Sequence, residues 1–258
     1  MPITNNSEYI ALIMLPNPYI SLVMPMYNEA ENIGSLLQEI FAVFDTTVKI
    51  KYEIIIVDDA SRDGSISIVE QEKDRYSANH KSVYLSEIIL LRQPVQSGQF
   101  KALIRGISVG KGDLIITLDS DLQQDPADIP RLLRMMDTCD MVCGVRADRQ
   151  DGMARRIVSK IGNRCRNIIT GDSTSDSGCM FRVMRVACVA AIMPCDGRLF
   201  GCEALFFPLL VRRKGFRVRE APVTHRQRGN GKSRYHLVRG RLLSGIAACL
   251  KIRFGGLA

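Results

Sequence analysis

The hydrophobic residues of this chain come in short runs separated by polar turns, and the runs alternate between strand and helix periods. YISLVMPMY, from Tyr19, reads as a buried strand, and NEAENIGSLLQEIFAVF places apolar residues at helical spacing behind Asn28, a capping residue type. The unit recurs as YEIIIVDD, ASRDGS and ISIVEQEKDRY, then as SEIILLRQ, PVQSGQ and FKALIRGISVG. A fourth run, DLIITLDSD, precedes DPADIPRLLRMM, which starts a helix with Pro126 near its first turn. This alternation predicts an α/β fold with a parallel central sheet and helices on both faces. Ligands of such sheets sit outside the carboxyl ends of the strands, which singles out residues 27–29, 58–63, 96–99 and 119–123.

After Asp140 the alternation weakens. DMVCGVR, CMFRVMR and FRVREAPVTHRQR read as strands, RRIVSKIGNRCRNII as a basic helix, and ALFFPLLVRRKG as a helix ending at Gly215. YHLVRGRLLSGIAACLKIRF reads as a basic amphipathic segment, interfacial if its apolar face enters a headgroup region and a packed C-terminal helix otherwise. With no internal repeat or low-complexity linker, the expectation is one domain over residues 1–235 and an appendage over 236–258.

Composition adds two points. The 258 residues are 46% hydrophobic, which supports a large core and excludes disorder or a fibrous repeat. The net charge of +8 conceals an asymmetry: residues 1–145 carry 12 basic and 20 acidic side chains, and residues 146–258 carry 23 and 7. One half therefore suits a cation, the other an anion or a membrane surface. A nucleic-acid partner is not expected, because the chain has no Trp and few aromatics among its basic residues. The eight cysteines form no CxxC pair and read as buried thiols in a reducing cytosol. MPITNNSE lacks the positive region of a signal peptide, and no apolar run approaches the roughly 20 residues of a membrane span.

The sharpest chemical signal is LDSDLQQD. Asp119 and Asp121 leave a buried strand two residues apart, so one turn can aim both carboxylates at one point; hard oxygen donors suit Mg²⁺ or Mn²⁺, and Gln123 adds a neutral oxygen. A lone pair of this kind is as well explained by helix capping. VDDASRDG and PMYNE at neighbouring strand ends favour a site.

The order VMPMYNEAENI, IIIVDDASRDGS, QSGQFKAL and ITLDSDLQQDP resembles the family 2 glycosyltransferases, which implies the A-type nucleotide-diphospho-sugar transferase fold. DSGCMFR and APVTHRQRGNGKSRY narrow the likeness to the polyprenyl-phosphate glycosyltransferases, the dolichol-phosphate mannose synthase group. The resemblance spans residues 20–235 and divides them into a nucleotide and metal half (19–140) and an acceptor half (141–235). It implies that Pro25, Tyr27 and Glu29 contact the donor nucleotide, that Val57 and Asp59 hold base and ribose, and that Asp119, Ser120, Asp121 and Gln123 form the metal and diphosphate site. Arg146, Arg155 and Ser159 would receive the acceptor phosphate, with Arg156 a second candidate beside Arg155. Arg228 and Ser233 would close on the donor diphosphate, Arg234 stands where the family often has Lys, and Asp176 would orient sugar or acceptor loop. His225 reads as structural.

The activity so implied is inverting transfer of a hexose-type sugar from a UDP- or GDP-sugar to undecaprenyl or dolichyl phosphate, at the inner face of the cell membrane by a peripheral protein. Three other readings compete. A same-fold transferase could use a soluble or polysaccharide hydroxyl. A Mg²⁺-dependent phosphatase would need its carboxylate pair on the first strand and Thr or Val where Gln123 stands. A nucleic-acid-binding protein rests on the basic half alone.

Overall fold

The computed structural model describes residues 18–79, 82–147, 153–193, 203–227 and 239–254. Four βα units build the first half: β1 (Ile20–Met26) and α1 (Ile33–Val43), β2 (Tyr52–Asp58) and α2 (Ser65–Asn79), β3 (Leu85–Arg92) and α3 (Gln99–Val109), and β4 (Leu114–Thr117) with α4 (Ile129–Met135). The second half supplies β5 (Met141–Arg146), α5 (Met153–Thr170), β6 (Arg182–Arg185), α6 (Val186–Ile192), α7 (Phe207–Arg213), β7 (Val218–Val223) and α8 (Arg239–Phe254).

The seven strands form one sheet in the order β3-β2-β1-β4-β6-β5-β7. Among the strands of the described residues β6 alone runs against its neighbours; the other strand–strand pairings are parallel. The sheet is thus mostly parallel, as the alternating pattern predicts, and the weaker pattern after Asp140 coincides with the reversed strand.

Residues of opposite parity on each strand feed opposite faces. Leu22, Met24, Ile54, Ile56, Leu114 and Ile116 pack with Leu36, Leu37 and Ile40 of α1 and Leu132 and Leu133 of α4. Val23, Ile55, Val57 and Ile115 pack on the other face with Leu103 and Ile107 of α3 and Phe207 and Val211 of α7. Burying each large aliphatic side chain contributes about 1.5–3 kcal/mol, so both faces are needed. Gly106 lets α3 approach the sheet: a Cβ there would overlap Val23 and press on Val57.

A third cluster joins the C-terminal helix to the body. Ala248, Cys249 and Ile252 of α8 pack with Phe206 and Leu209, while Arg213 and Arg253 donate to the carbonyls of Ile252 and Ile169 at 2.9 Å. The segment read as an appendage is therefore docked along α5 and α7 over these residues. Among the described residues no helix is long and apolar enough to cross a membrane.

Candidate active site at the carboxyl edge of the sheet

The strand order reverses between β1 and β4, because β2 and β3 extend the sheet one way and β4 and β6 the other. Such a point opens a crevice at the carboxyl edge. Pro25 marks its floor. Val23 still accepts from the Leu118 N–H at 3.2 Å, but two residues on, Pro25 has no N–H to offer on that same side; its carbonyl instead accepts from the Ser120 hydroxyl at 2.9 Å. The ladder ends there, and residues 119–123 turn away. Leu122 turns with φ +61°, a left-handed conformation that is uncommon for a leucine.

Asp119 is held by neutral amides. Gln99 Nε2 donates to Oδ1 at 2.6 Å and Gln124 Nε2 to Oδ2 at 2.9 Å, while the Asp119 N–H donates to Gln124 Oε1 at 3.0 Å. Burial, reinforced by the Asp121 carboxylate, pushes the Asp119 carboxyl up, against the pull of Arg146 and Arg182. Asp121 Oδ1 accepts from the Gln123 N–H at 3.2 Å. Two carboxylates crowded at one strand end, one of them held by neutral amides, are hard oxygen donors of the kind a divalent cation takes. Among the described residues no group of three or more His, Cys, Asp or Glu converges to hold a metal.

The loops after β1 and β2 brace each other. The Asn28 N–H donates to Ser61 Oγ and the Glu29 N–H to Ser65 Oγ, both at 2.8 Å, and Asn28 Oδ1 accepts from the Arg62 N–H at 2.6 Å. Asn28 and Ala60 take left-handed φ values of +52° and +63° within this brace. Strain of this kind persists only where the surroundings over-determine it. Pro25 and Val57 are partners in register, so these two predicted nucleotide contacts lie side by side. Asp59, 3% exposed, is committed to the next loop: its carboxylate accepts from the Ser97 N–H at 2.7 Å, Ser97 Oγ and Gln93 Nε2 at 3.1 Å, and the Gly98 N–H at 2.8 Å. Gly98, at φ +96°, starts α3 and so sets Gln99 beneath Asp119. Asp59 is thus a scaffold for the amide that grips Asp119.

Across the sheet, Arg146 ends β5. Its guanidinium forks onto Asp176, Nε to Oδ2 at 2.7 Å and Nη2 to Oδ1 at 2.8 Å, and this pairing keeps Arg146 charged against the effect of burial. Asn163 of α5 donates to the Ser175 carbonyl and accepts from Ser177 Oγ at 2.9 and 2.8 Å, tying α5 to the same loop. Arg155, Arg156 and Ser159 belong to the first turns of α5, where backbone alone is described; Arg228 and Ser233 lie outside the described residues.

His225 is structural, as expected: it is 7% exposed and forms a β-bridge with Gln124. The neighbouring Arg226 carries more of the architecture than sequence reading assigned to it. Its N–H donates to the Gln123 carbonyl at 2.8 Å, Nη1 meets both Glu39 oxygens at 2.9 and 2.8 Å, and Nη2 pairs with Asp125 at 2.7 Å. Gln99, Gln124 and Arg226 were all inside motifs noted for other residues; their roles depend on pairings across the fold.

The sequence model of glycosyl transferase family 2 matches residues 21–191. The chain is 36% identical over 234 residues to an undecaprenyl-phosphate 4-deoxy-4-formamido-L-arabinose transferase of Edwardsiella ictaluri, covering 90% of this chain and 68% of the relative. An Aeromonas hydrophila protein of the same name is 36% identical over 220 residues, covering 85% and 63%. The chain thus spans about two thirds of the length of these relatives. Among solved structures, glucosyl-3-phosphoglycerate synthase from Mycobacterium tuberculosis, in complex with Mn²⁺, uridine diphosphate and glucosyl-3-phosphoglycerate, superposes with a TM-score of 0.67 at 18% identity, over 99% of this chain and 86% of that one. A mannosyltransferase from Pyrobaculum calidifontis in complex with GDP-Man and Mn²⁺ gives 0.56 at 18% identity, over 84% and 61%. These likenesses establish the A-type glycosyltransferase fold, and with a family match across most of the sheet the chain belongs to glycosyl transferase family 2.

Proposed function

We propose that the protein transfers a sugar, with inversion, from a nucleoside-diphosphate sugar to a polyprenyl phosphate. The observation that carries this reading is the two-sided edge of the sheet: an acidic crevice between β1 and β4, and an arginine fork at the end of β5. The named activity of the 36%-identical relatives supports the acceptor class.

In this reading the base and ribose occupy the braced loops, against Tyr27 and Glu29, the main chain at Val57 and the wall held by Asp59. The diphosphate lies over residues 119–123. Asp119 and Asp121, with Gln123, would hold a divalent ion, whose chemistry is to neutralise the departing nucleoside diphosphate. Mn²⁺ is the first ion to test, with Mg²⁺ the alternative. Arg228 and Ser233 are proposed to meet the diphosphate from the other side. An acceptor phosphate is already anionic at neutral pH, so one of its oxygens forms the new bond to the anomeric carbon as the bond to the donor's β-phosphate oxygen breaks. No general base is required, and positioning and electrostatics dominate.

Arg155, or Arg156 beside it, is proposed as the second phosphate contact beside Arg146, with Ser159 further along α5; Asn163 of that helix is tied to the Ser175–Ser177 loop.

A membrane surface completes the proposal. α5 exposes Ile161, Cys165 and Ile168, and α8, packed along it, exposes Ile246, Leu250 and Phe254, with Lys160, Arg164 and Arg253 beside them. Apolar stripes flanked by basic residues suit the headgroup region of an anionic bilayer at the cytoplasmic face.

The test is a transfer assay with undecaprenyl phosphate, a panel of UDP- and GDP-sugars, and Mn²⁺, Mg²⁺ or chelator. A lipid-linked product of inverted anomeric configuration, formed only with divalent metal, is expected; metal-independent transfer or retention of configuration would refute the mechanism.

A further inference from the structure

Among the described residues Arg182 is the bulkiest of the fully buried side chains, 1% exposed, at the start of β6. It stands in register with Thr117 of β4 on one side and Cys143 of β5 on the other, below both halves of the site edge. A guanidinium keeps its charge at any physiological pH, and burying it without partners is strongly unfavourable. Among the described residues no carboxylate forms an ion pair with it. Its partners are three main-chain carbonyls: Nε donates to Cys179 at 3.1 Å, Nη2 to Ser177 at 2.9 Å and Nη1 to Ala204 at 2.6 Å, with the Phe207 ring centroid 5.9 Å from the guanidinium carbon.

These bonds give each residue of the Asp176–Cys179 loop a task. Asp176 forks onto Arg146; Ser177 gives its carbonyl to Arg182 and its hydroxyl to Asn163; Gly178 lets the backbone lie against Arg146, where a Cβ would sit 3.1 Å from Nη2; Cys179 gives its carbonyl to Arg182. An apolar side chain of similar volume would fill the interior with less desolvation, so a buried arginine here is best explained by the directions its fork imposes.

We propose that Arg182 is a positioning residue for the acceptor side of the site. It cross-links the Asp176–Cys179 loop to the turn that leads into α7 and so sets the carboxylate that aims Arg146. The inference rests on the reading of Arg146 as an acceptor-phosphate residue.

The experiment compares the full chain with Arg182→Lys, Asp176→Asn and the double variant. Each single change is expected to lower kcat/KM for undecaprenyl phosphate at least tenfold while the Kd for the nucleoside diphosphate with Mn²⁺ stays within twofold. The double variant should lose little more than the worse single, because both act along one chain of contacts. Backbone hydrogen exchange of Arg182→Lys should rise together in residues 176–181 and 203–207. Unchanged acceptor kinetics in both single variants, equal losses in nucleotide affinity, or increased exchange in only one of the two segments would overturn the proposal. If Arg182→Lys fails to fold, Asp176→Asn decides by the same split between acceptor and nucleotide. Wild-type protein that transfers nothing to polyprenyl phosphate would instead overturn the functional reading, and the exchange experiment would still decide the cross-link.

Discussion

Asp119 and Arg146 stand at the same edge of one sheet, each at or just beyond a strand end, yet their surroundings are opposite. Asp119 is gripped by the neutral amides of Gln99 and Gln124 and crowded by a second carboxylate, which with burial raises its carboxyl against the pull of Arg146 and Arg182. Arg146 is already matched by a carboxylate in a two-point fork. The side proposed for the donor thus gathers carboxylates, whereas on the side proposed for the acceptor the guanidinium is already directed by a carboxylate that shares its charge. Much of the basic half has the same character: Arg166 and Arg212 share the buried Asp172, and Arg182 is held by carbonyls. A positive count along a chain measures charge that is present, not charge that is available to a partner.

The largest effect should break the donor side. Asp121→Ala is expected to lower kcat about 10³-fold, the scale of losing a principal electrostatic group at the reacting centre, measured by product formation at saturating substrates. Arg146→Lys comes next: the charge remains but the fork is lost, so kcat/KM for the acceptor should fall about tenfold with nucleotide affinity unchanged by calorimetry. If nucleotide affinity falls equally, the division between the two sides is wrong.

Asp59→Asn tests whether the donor side is built by its scaffold. Replacing a carboxylate that accepts from four donors should destabilise the fold by about 1–3 kcal/mol in denaturant titration and weaken nucleotide binding, though Asp59 need not touch the ligand. The smallest effect is remote from the site. Burial raises the Asp140 carboxyl, but the Arg217 N–H and guanidinium, with Arg185, outweigh it and hold it below its ordinary value. Its contribution is therefore present above the unfolded-state value and lost as pH falls through the folded one. Asp140→Asn should reduce stability by about 1 kcal/mol at pH 7, and the gap to wild type should close below about pH 4.

The first half of the fold was legible because each βα unit declares itself locally: Ile54 to Val57 are a continuous apolar run, and Leu36, Leu37 and Ile40 fall on one helical face. The carboxylate pair was legible for the same reason, since a strand end and two aspartates are neighbours in the chain. Other features depend on distant partners. β6 offers CMFRVMR, an ordinary strand pattern, and only its pairing with Thr117 and Cys143 shows that it runs backwards and that its arginine is buried. Gln99 sits 20 residues from Asp119, and Arg226 lies 187 from Glu39, so no local period signals either contact. The C-terminal helix lay between: its basic residues were plain, but Arg213 and the third cluster decide which of its faces is covered.

The most direct test of the account is to offer the purified protein undecaprenyl phosphate and undecaprenol side by side, in mixed micelles with its nucleotide-sugar donor and Mn²⁺, and to measure sugar recovered in the lipid fraction. A site whose acceptor side is an aimed guanidinium, and whose nucleophile is an already anionic phosphate, predicts product with the phosphate alone; comparable glycosylation of the free alcohol would contradict it.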